Sequence, residues 1–291
     1  MKHQKNLTVT LIEPRGFCFG VCRALQILDD LGDQSCYVFH EIVHNKQVVA
    51  AYQAKGFHFV DEVRDIPDGA CVVVSAHGAA SSVFETLAAK GCRVIDATCP
   101  FVKKVHAAAG RLEASGAAVL IIGKKGHAEV VGIEGRVQNG YVVSSASEVA
   151  FLPDFDKVGC VMQTTLSAAK VDSVVEALLK RWPALIVPPK HTMCRATVMR
   201  QQAVRDAAQT CDVILVVGDT HSSNSRELVD VAQNAGCRSY LIETPADTDA
   251  LDLSGTVGLT ASASAPESIV RAVYQKLTDS PAEACSPDRA C

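Results

Sequence analysis

The sequence predicts an α/β protein built from small, mainly parallel sheets. Short apolar segments rich in β-branched residues end in polar residues, as in DVILVVGDTHSSN (212–224), and they alternate with longer helical patterns. Buried parallel strands have this nearly continuous apolar composition. The polar residues after each strand are expected at the carboxyl ends of the strands, where open α/β sheets bind ligands.

The predicted elements extend over almost the whole chain. Strands with their polar tails are predicted at 7–13, 71–78, 118–127, 160–167, 212–224 and 257–266, and helices at 20–31, 100–115, 168–182, 195–209, 225–235 and 266–278. Gly32, Gly116 and Gly236 stand where helix C-caps are expected, and Pro100 stands at the first position of a helix.

Three cysteines share one position relative to these elements. Cys18, Cys99 and Cys194 each directly precede a predicted helix that is followed by a strand. Cys99 is as far from Gly123 along the chain as Cys194 is from Gly218, which indicates a repeated unit of cysteine, helix, strand and polar loop. We therefore expect three α/β lobes and a flexible tail, with the boundaries 14–98 (preceded by the strand at 7–13), 99–193, 194–281 and 282–291.

Composition and charge exclude several classes of protein. With 291 residues, of which 48% are apolar, the chain can bury a large core. The net charge of -4 and the absence of long Lys/Arg clusters argue against nucleic acid as a partner. The N-terminal apolar stretch is too short for a signal peptide or a membrane span, so we expect a cytoplasmic protein whose 12 cysteines are thiols or metal ligands.

The positions of the three cysteines suit an iron-sulfur cluster. A thiolate at the start of a helix is stabilised by the helix dipole and by unpaired backbone N–H groups. Three distant cysteines fit a 4Fe-4S cluster with one open iron that acts as a Lewis acid. Structural zinc sites usually contain closely spaced cysteine pairs of the C-x2-C type, which this sequence lacks. Spacing alone does not distinguish Cys18 from Cys22, one helical turn further on.

A second set of polar residues is expected at the strand ends. It consists of His44, His77, His127, Glu129, Thr164, Thr165, Ser222, Ser223, Asn224 and Ser264. Each alone is compatible with a cap or a loop hydrogen bond, but imidazoles, hydroxyls and an amide near helix N-termini together suit a phosphate or diphosphate. Glu129 is the only carboxylate of this set and the candidate general acid, because a closed site raises the pKa of a carboxyl towards neutrality.

Taken together, these segments resemble the LytB/IspH family of 4-hydroxy-3-methylbut-2-enyl diphosphate reductases. The matching segments are PRGFCFGV (14–21), HEIVHN (40–45), SAHG (75–78), DATCPFVKKVH (96–106), GKKGHAEVVG (123–132), MQTTLS (162–167), CRATVMRQ (194–201), SSNS (222–225) and ASAPE (263–267). They follow the order of the family and cover nearly the whole chain.

The resemblance implies a trefoil of three α/β lobes around a 4Fe-4S cluster that is held by Cys18, Cys99 and Cys194, and it favours Cys18 over Cys22. In such enzymes the allylic hydroxyl binds the unique iron and leaves as water with two electrons and two protons, giving isopentenyl and dimethylallyl diphosphates. By position, the diphosphate ligands would be His44, His77, His127, Ser222, Asn224 and Ser264, with Ser223 nearby. Glu129 would deliver protons through Thr164 or Thr165, and ferredoxin or flavodoxin would supply electrons.

The chain departs from the family pattern after His127, where Ala128 and Val131 replace a usual proline and carboxylate. We expect the loop that orients Glu129 to differ slightly. Three other functions are compatible with part of the pattern: a hydro-lyase, which would need no reductant, a redox sensor without catalysis, and a zinc-stabilised binding module.

Overall fold

The structure is a computed structural model that describes residues 7–32, 35–188 and 194–278. The chain forms two compact units, one of Met1–Cys22, His44–Val48 and Arg195–Cys291, the other of Arg23–Val43 and Val49–Cys194. The described strands form small sheets in which every pairing is parallel. This confirms the predicted α/β class with small parallel sheets. The predicted tail at 282–291 lies outside the described residues.

The helices and strands follow one another in nearly regular alternation. Their bounds are β1 (Leu7–Leu11), α1 (Phe19–Leu31), β2 (Cys36–Phe39), α2 (Lys46–Ala54), β3 (His58–Val60), β4 (Cys71–Val74), α3 (Ser81–Ala89), β5 (Arg93–Asp96), α4 (Pro100–Ala114), β6 (Ala118–Ile122), α5 (Ala128–Glu134), β7 (Gly140–Val143), β8 (Val158–Met162), α6 (Ala168–Arg181), α7 (Arg195–Ala207), β9 (Val213–Val217), α8 (Ser223–Asn234), β10 (Arg238–Ile242), β11 (Gly255–Ala261) and α9 (Glu267–Thr278).

The first unit contains a parallel sheet of strand order β1-β11-β9-β10. Strand β9 is buried on both faces because its side chains alternate between two hydrophobic clusters. Leu215 packs in the cluster that contains Val270 of α9, whereas Ile214 packs in the cluster that contains Leu228 of α8. The loops that follow β9 and β11 therefore leave the same edge of a well-packed sheet.

The second unit contains two parallel sheets, with strand orders β3-β2-β4-β5 and β7-β6-β8. Strand β6 is also buried on both faces, since Leu120 packs with Leu178 of α6 and Ile121 packs with Ala109 of α4. Burial of one such leucine or isoleucine contributes roughly 1.5–3 kcal/mol. The loops after β4, β6 and β8 carry several of the polar residues singled out in the sequence.

The predicted boundaries agree closely with the observed helices, and the repeat of cysteine, helix, strand and polar loop is present at Cys99 and Cys194. The three glycines expected at C-caps all have positive φ, as that position requires: Gly32, Gly116 and Gly236. Helices α2, α3 and α5 lie outside the segments predicted as helical. No helix in the described part of the chain is both long and apolar enough to cross a membrane.

Candidate active site

The loop before α1 presents Cys18 at the start of that helix. The Cys18 amide donates to the carbonyl of Ala263 at 3.1 Å, in the loop after β11. Arg15 strengthens this connection, because its Nε and Nη2 donate to Glu267 Oε1 at 3.1 and 2.9 Å. Cys18 is therefore fixed by the neighbouring loop that also carries Ser264.

The other two cysteines occupy the equivalent position in the second unit. Cys99 is the N-cap of α4, with Pro100 at the first helical position, and Cys194 directly precedes α7. Cys18, Cys99 and Cys194 form no disulfide bond and are partly exposed, as expected of thiols that can bind a metal. Cys22 instead lies inside the first turn of α1, where its amide donates to the Cys18 carbonyl at 2.9 Å.

These thiols fit the donor set of a cluster with three cysteine ligands. Among the described residues, no three His, Cys, Asp or Glu side chains are grouped as ligands of a single metal ion. Cluster cysteines bind different irons, so a single-ion arrangement is not what such a cluster needs.

Glu129 and Thr164 form a buried pair in the second unit. Glu129 is in the first turn of α5 and is 1% exposed. Its Oε1 accepts from the Thr164 amide at 2.7 Å, and its Oε2 accepts from Thr164 Oγ1 at 3.0 Å. Both carboxyl oxygens are thus held by one residue of the loop after β8.

The environment of Glu129 favours the protonated carboxyl. Burial raises its pKa from 4.5 to about 7, and the two hydrogen bonds from Thr164 oppose this rise only in part. A carboxylic acid with a pKa near neutrality is suited to proton transfer at physiological pH. The geometry therefore gives Glu129 the property expected of a general acid.

The imidazole of His127 contacts the backbone of Glu129, and the imidazole of His77 packs against that of His127. His127 caps α5, and its Nδ1 accepts from the Glu129 amide at 3.2 Å, which leaves the ring proton on Nε2 when the ring is neutral. The rings of His77 and His127 meet edge to face, with centroids 5.8 Å apart. The loops after β4 and β6 thus bring both predicted histidines together.

Thr165 makes different contacts from Thr164. Gln163 Nε2 donates to Thr165 Oγ1 at 2.7 Å, and Gln163 Oε1 accepts from the Lys124 amide at 3.0 Å. Gln163 therefore joins the loops after β6 and β8. Sequence reasoning assigned it no role, although its place inside MQTTLS was a usable signal.

In the first unit, His44 and Ser264 are in contact, and Ser222 and Asn224 lie at the start of α8. Ser264 Oγ donates to the His44 carbonyl at 3.0 Å. Ser222 caps α8, and its Oγ accepts from the Ser225 amide at 3.3 Å. Ser223, the first residue of α8, is buried beside Asn224.

Within this set, the side-chain amide of Asn224 gives the clearest indication of a ligand-binding site. It is 4% exposed, and within the described part of the chain neither its Oδ1 nor its Nδ2 has a hydrogen-bond partner. A buried amide without partners costs free energy that an added hydrogen-bonding ligand can offset.

The departures from the family pattern lie on α5. Ala128 is its first residue, and Val131 is 45% exposed. The position that usually has a carboxylate therefore faces outwards, while Glu129, two residues earlier, faces the interior.

Sequence reasoning also overlooked a second buried carboxylate, Asp219, which directly follows Gly218 after β9. It accepts hydrogen bonds from two backbone amides. Its position at a strand end, immediately before the polar loop, was the signal available in the sequence.

A buried carboxyl with a hydroxyl partner, in a loop and helix start at the carboxyl ends of parallel strands, is typical of an α/β enzyme. A family model described as LytB protein matches residues 9–278. The chain belongs to the LytB family.

Relatives and solved structures agree with this membership. The 4-hydroxy-3-methylbut-2-enyl diphosphate reductase of Bordetella pertussis is 44% identical over 279 residues, which cover 93% of this chain and 86% of the relative. The enzyme of the same name from Actinobacillus pleuropneumoniae is 42% identical over 282 residues, with 93% and 90% covered. The E-1-hydroxy-2-methyl-but-2-enyl-4-diphosphate reductase structure from Plasmodium falciparum has a TM-score of 0.89 at 32% identity, with 94% and 88% covered.

Proposed function

We propose that this protein reduces 4-hydroxy-3-methylbut-2-enyl diphosphate to isopentenyl and dimethylallyl diphosphates, the terminal step of the methylerythritol phosphate route to isoprenoids. The reaction consumes two electrons and two protons and releases water. Membership in the LytB family and the names of relatives at 42–44% identity support this function. The observation that carries it is the buried Glu129–Thr164 pair, because a carboxyl with a pKa of about 7 can hold and donate a proton near neutral pH.

Cys18, Cys99 and Cys194 are the proposed ligands of a 4Fe-4S cluster. They form no disulfide bond, are partly exposed and stand directly before helices. When bound, such a cluster supplies electrons and an open, Lewis-acidic iron for the substrate oxygen. We assign the three lobes at 14–98, 99–193 and 194–281 on the same basis, one cysteine to each lobe.

The proposed diphosphate ligands are neutral hydrogen-bond donors, namely His44, His77, His127, Ser222, Asn224 and Ser264, with Ser223 next to Ser222 and Asn224. The unpartnered buried amide of Asn224 supports this role, because Nδ2 donates hydrogen bonds that phosphate oxygens accept.

Glu129 holds the proton for the departing hydroxyl, and Thr164 is the better candidate for the relay. When the carboxyl is protonated, its O–H donates to Thr164 Oγ1, which releases the threonine O–H for donation to the substrate. Thr165 has Gln163 as its partner instead. The contacts of Glu129 with both the amide and the hydroxyl of Thr164 support this choice.

We further propose a cytoplasmic location and a ferredoxin or flavodoxin as the electron donor. A small one-electron carrier suits a reaction in which a cluster accepts electrons singly and the substrate takes up two.

The experiment that tests this function is anaerobic turnover of 4-hydroxy-3-methylbut-2-enyl diphosphate by the cluster-loaded protein, with and without a reductant, followed by mass spectrometry of products. Both diphosphates should form only when a reductant is present. Loss of water without a reductant would favour a hydro-lyase. An intact cluster with no product would favour a redox sensor, and purified protein without iron and sulfide would exclude the cluster.

A further inference from the structure

Asp219 is a buried carboxylate that joins two segments of the first unit. It is 4% exposed, and it follows Gly218 at the end of β9. Its Oδ2 accepts from the Lys46 amide at 3.1 Å, and its Oδ1 accepts from the His221 amide at 2.7 Å. One carboxylate therefore holds the start of α2 against the loop between β9 and α8.

Each of these two segments carries proposed diphosphate ligands. Lys46 comes two residues after His44, and His221 directly precedes Ser222. The Ser222 amide donates to the Asp219 carbonyl at 3.1 Å, so the backbone of Asp219 also fixes the loop. A small change in the side chain of Asp219 would consequently move His44 relative to Ser222.

The charge of Asp219 is suited to this structural task. Burial alone would raise the pKa of its carboxyl, but the hydrogen bonds from the His221 and Lys46 amides, together with the charge of Lys46 and the His221 side chain, outweigh burial and lower it. The side chain is therefore ionised at neutral pH, and hydrogen bonds to a charged acceptor are stronger than those to a neutral one. An anion is a poor direct ligand for a diphosphate, which leaves positioning as its role.

We propose that Asp219 is a positioning residue that holds His44 and the Ser222–Asn224 loop in the register in which they bind one diphosphate. The proposal rests on the function proposed above. The diphosphate itself does not react, so we take its ligands to bind the substrate and the transition state equally. Loss of the register should raise KM and leave kcat nearly unchanged.

The chain offers a substitution that removes only one of these hydrogen bonds. Asn45 caps α2, because its Oδ1 accepts from the Val48 amide at 3.0 Å, and Lys46 is the first helical residue. Proline is favourable at this position, where the amide has no partner within the helix. Lys46→Pro thus deletes the donor to Asp219, and Lys46→Ala is its reference, since it loses the same side chain but keeps the amide.

The test measures binding of inorganic pyrophosphate to the cluster-loaded protein by anaerobic titration calorimetry, together with KM and kcat. Lys46→Pro should bind pyrophosphate about tenfold more weakly than Lys46→Ala, because misplacement of His44 would cost the equivalent of one hydrogen bond to the charged ligand. Asp219→Asn should weaken binding similarly relative to the wild type, because an amide has one acceptor oxygen for two amide donors. Asp249→Asn, an exposed carboxylate of the same unit that pairs with Lys276, should have no effect.

Equal pyrophosphate affinity of Lys46→Pro and Lys46→Ala, with unchanged melting temperature and iron content, would overturn the positioning role. So would an equal drop in kcat and kcat/KM. If the wild-type protein itself binds no pyrophosphate, the proposed diphosphate site fails, and the role of Asp219 fails with it. If the wild type binds pyrophosphate and the variants bind it equally well, only the role of Asp219 is refuted.

Discussion

Replacing Glu129 with glutamine should change how the stability of the protein depends on pH. Glutamine has the same shape, and its Oε1 can still accept from the Thr164 amide, which now bonds Glu129 Oε1 at 2.7 Å. It cannot ionise, so the substitution removes the cost of placing a charge in a fully buried position. The variant is therefore expected to fold and to lack the titrating carboxyl of Glu129.

The magnitude follows from the shifted pKa. Burial raises the pKa of Glu129 from 4.5 to about 7 in the folded protein. Between these two values the folded state keeps a proton that the unfolded state loses, so the stability contributed by the protonated carboxyl is complete below about pH 4.5 and lost as the pH rises to about 7. At 1.36 kcal/mol per pKa unit the loss is about 3 kcal/mol.

The measurement compares unfolding of the cluster-loaded proteins under anaerobic conditions at several pH values. The unfolding free energy of Glu129→Gln minus that of the wild type should increase by about 3 kcal/mol from about pH 4.5 to about pH 7. This difference should stay constant at higher pH. Glu134→Gln is the matched control, because it removes an exposed carboxylate from the same helix. Its difference from the wild type should stay within about 0.5 kcal/mol.

Parallel pH curves for the wild type and Glu129→Gln would refute the reasoning, since they would mean that Glu129 titrates alike in the folded and unfolded states. The same variant should keep its iron content, because Glu129 is not a cluster ligand. It should lose most of its turnover, because the proton donor is removed. Retained turnover would refute the catalytic role, whatever the pH curves show.

Three further results are expected. Cys18→Ser should lose the cluster, measured as iron per protein, whereas Cys22→Ser should keep it; equal losses would contradict the ligand assignment. Thr164→Val should reduce turnover by about 10²-fold or more, as for a lost proton-transfer group, while Thr164→Ser should retain it; a fully active valine variant would exclude the hydroxyl relay. Gly78→Ala should lower the unfolding free energy by about 1–3 kcal/mol more than Gly126→Ala. Both glycines have a φ of 76°, but a Cβ at Gly78 would lie 2.8 Å from His106 Cε1, whereas none lies within 4 Å at Gly126; equal melting temperatures would contradict this contact.

Elements with a long, regular pattern could be predicted from the sequence. Helices such as α4 and α6 have a buried stripe and a clear end, and their predicted bounds differ from the observed ones by a residue. Helix α5 has 7 residues, which is shorter than the window in which a helical period becomes visible. The strands of these sheets are recognisable because both faces are buried, which produces continuous apolar runs.

The composition of the candidate site was more predictable than its internal contacts. The sequence indicated that Glu129 and a neighbouring threonine act together, but it left Thr164 and Thr165 as alternatives. Adjacent residues in a loop direct their side chains differently, and backbone geometry decides which one reaches the carboxyl. The structure places Thr164 against Glu129 and gives Thr165 to Gln163.

Glu129 and Asp219 illustrate why the role of a carboxylate depends on its donors. Both are buried at the carboxyl ends of parallel strands, but the pKa of Glu129 is raised, whereas that of Asp219 is lowered. Glu129 receives one backbone amide and one hydroxyl, which is too little to offset complete burial. Asp219 receives two backbone amides with Lys46 nearby, so its charge is retained. One side chain can therefore give up a proton while the other serves as a fixed acceptor, and the hydrogen-bond donors and charges around each carboxyl separate the two roles.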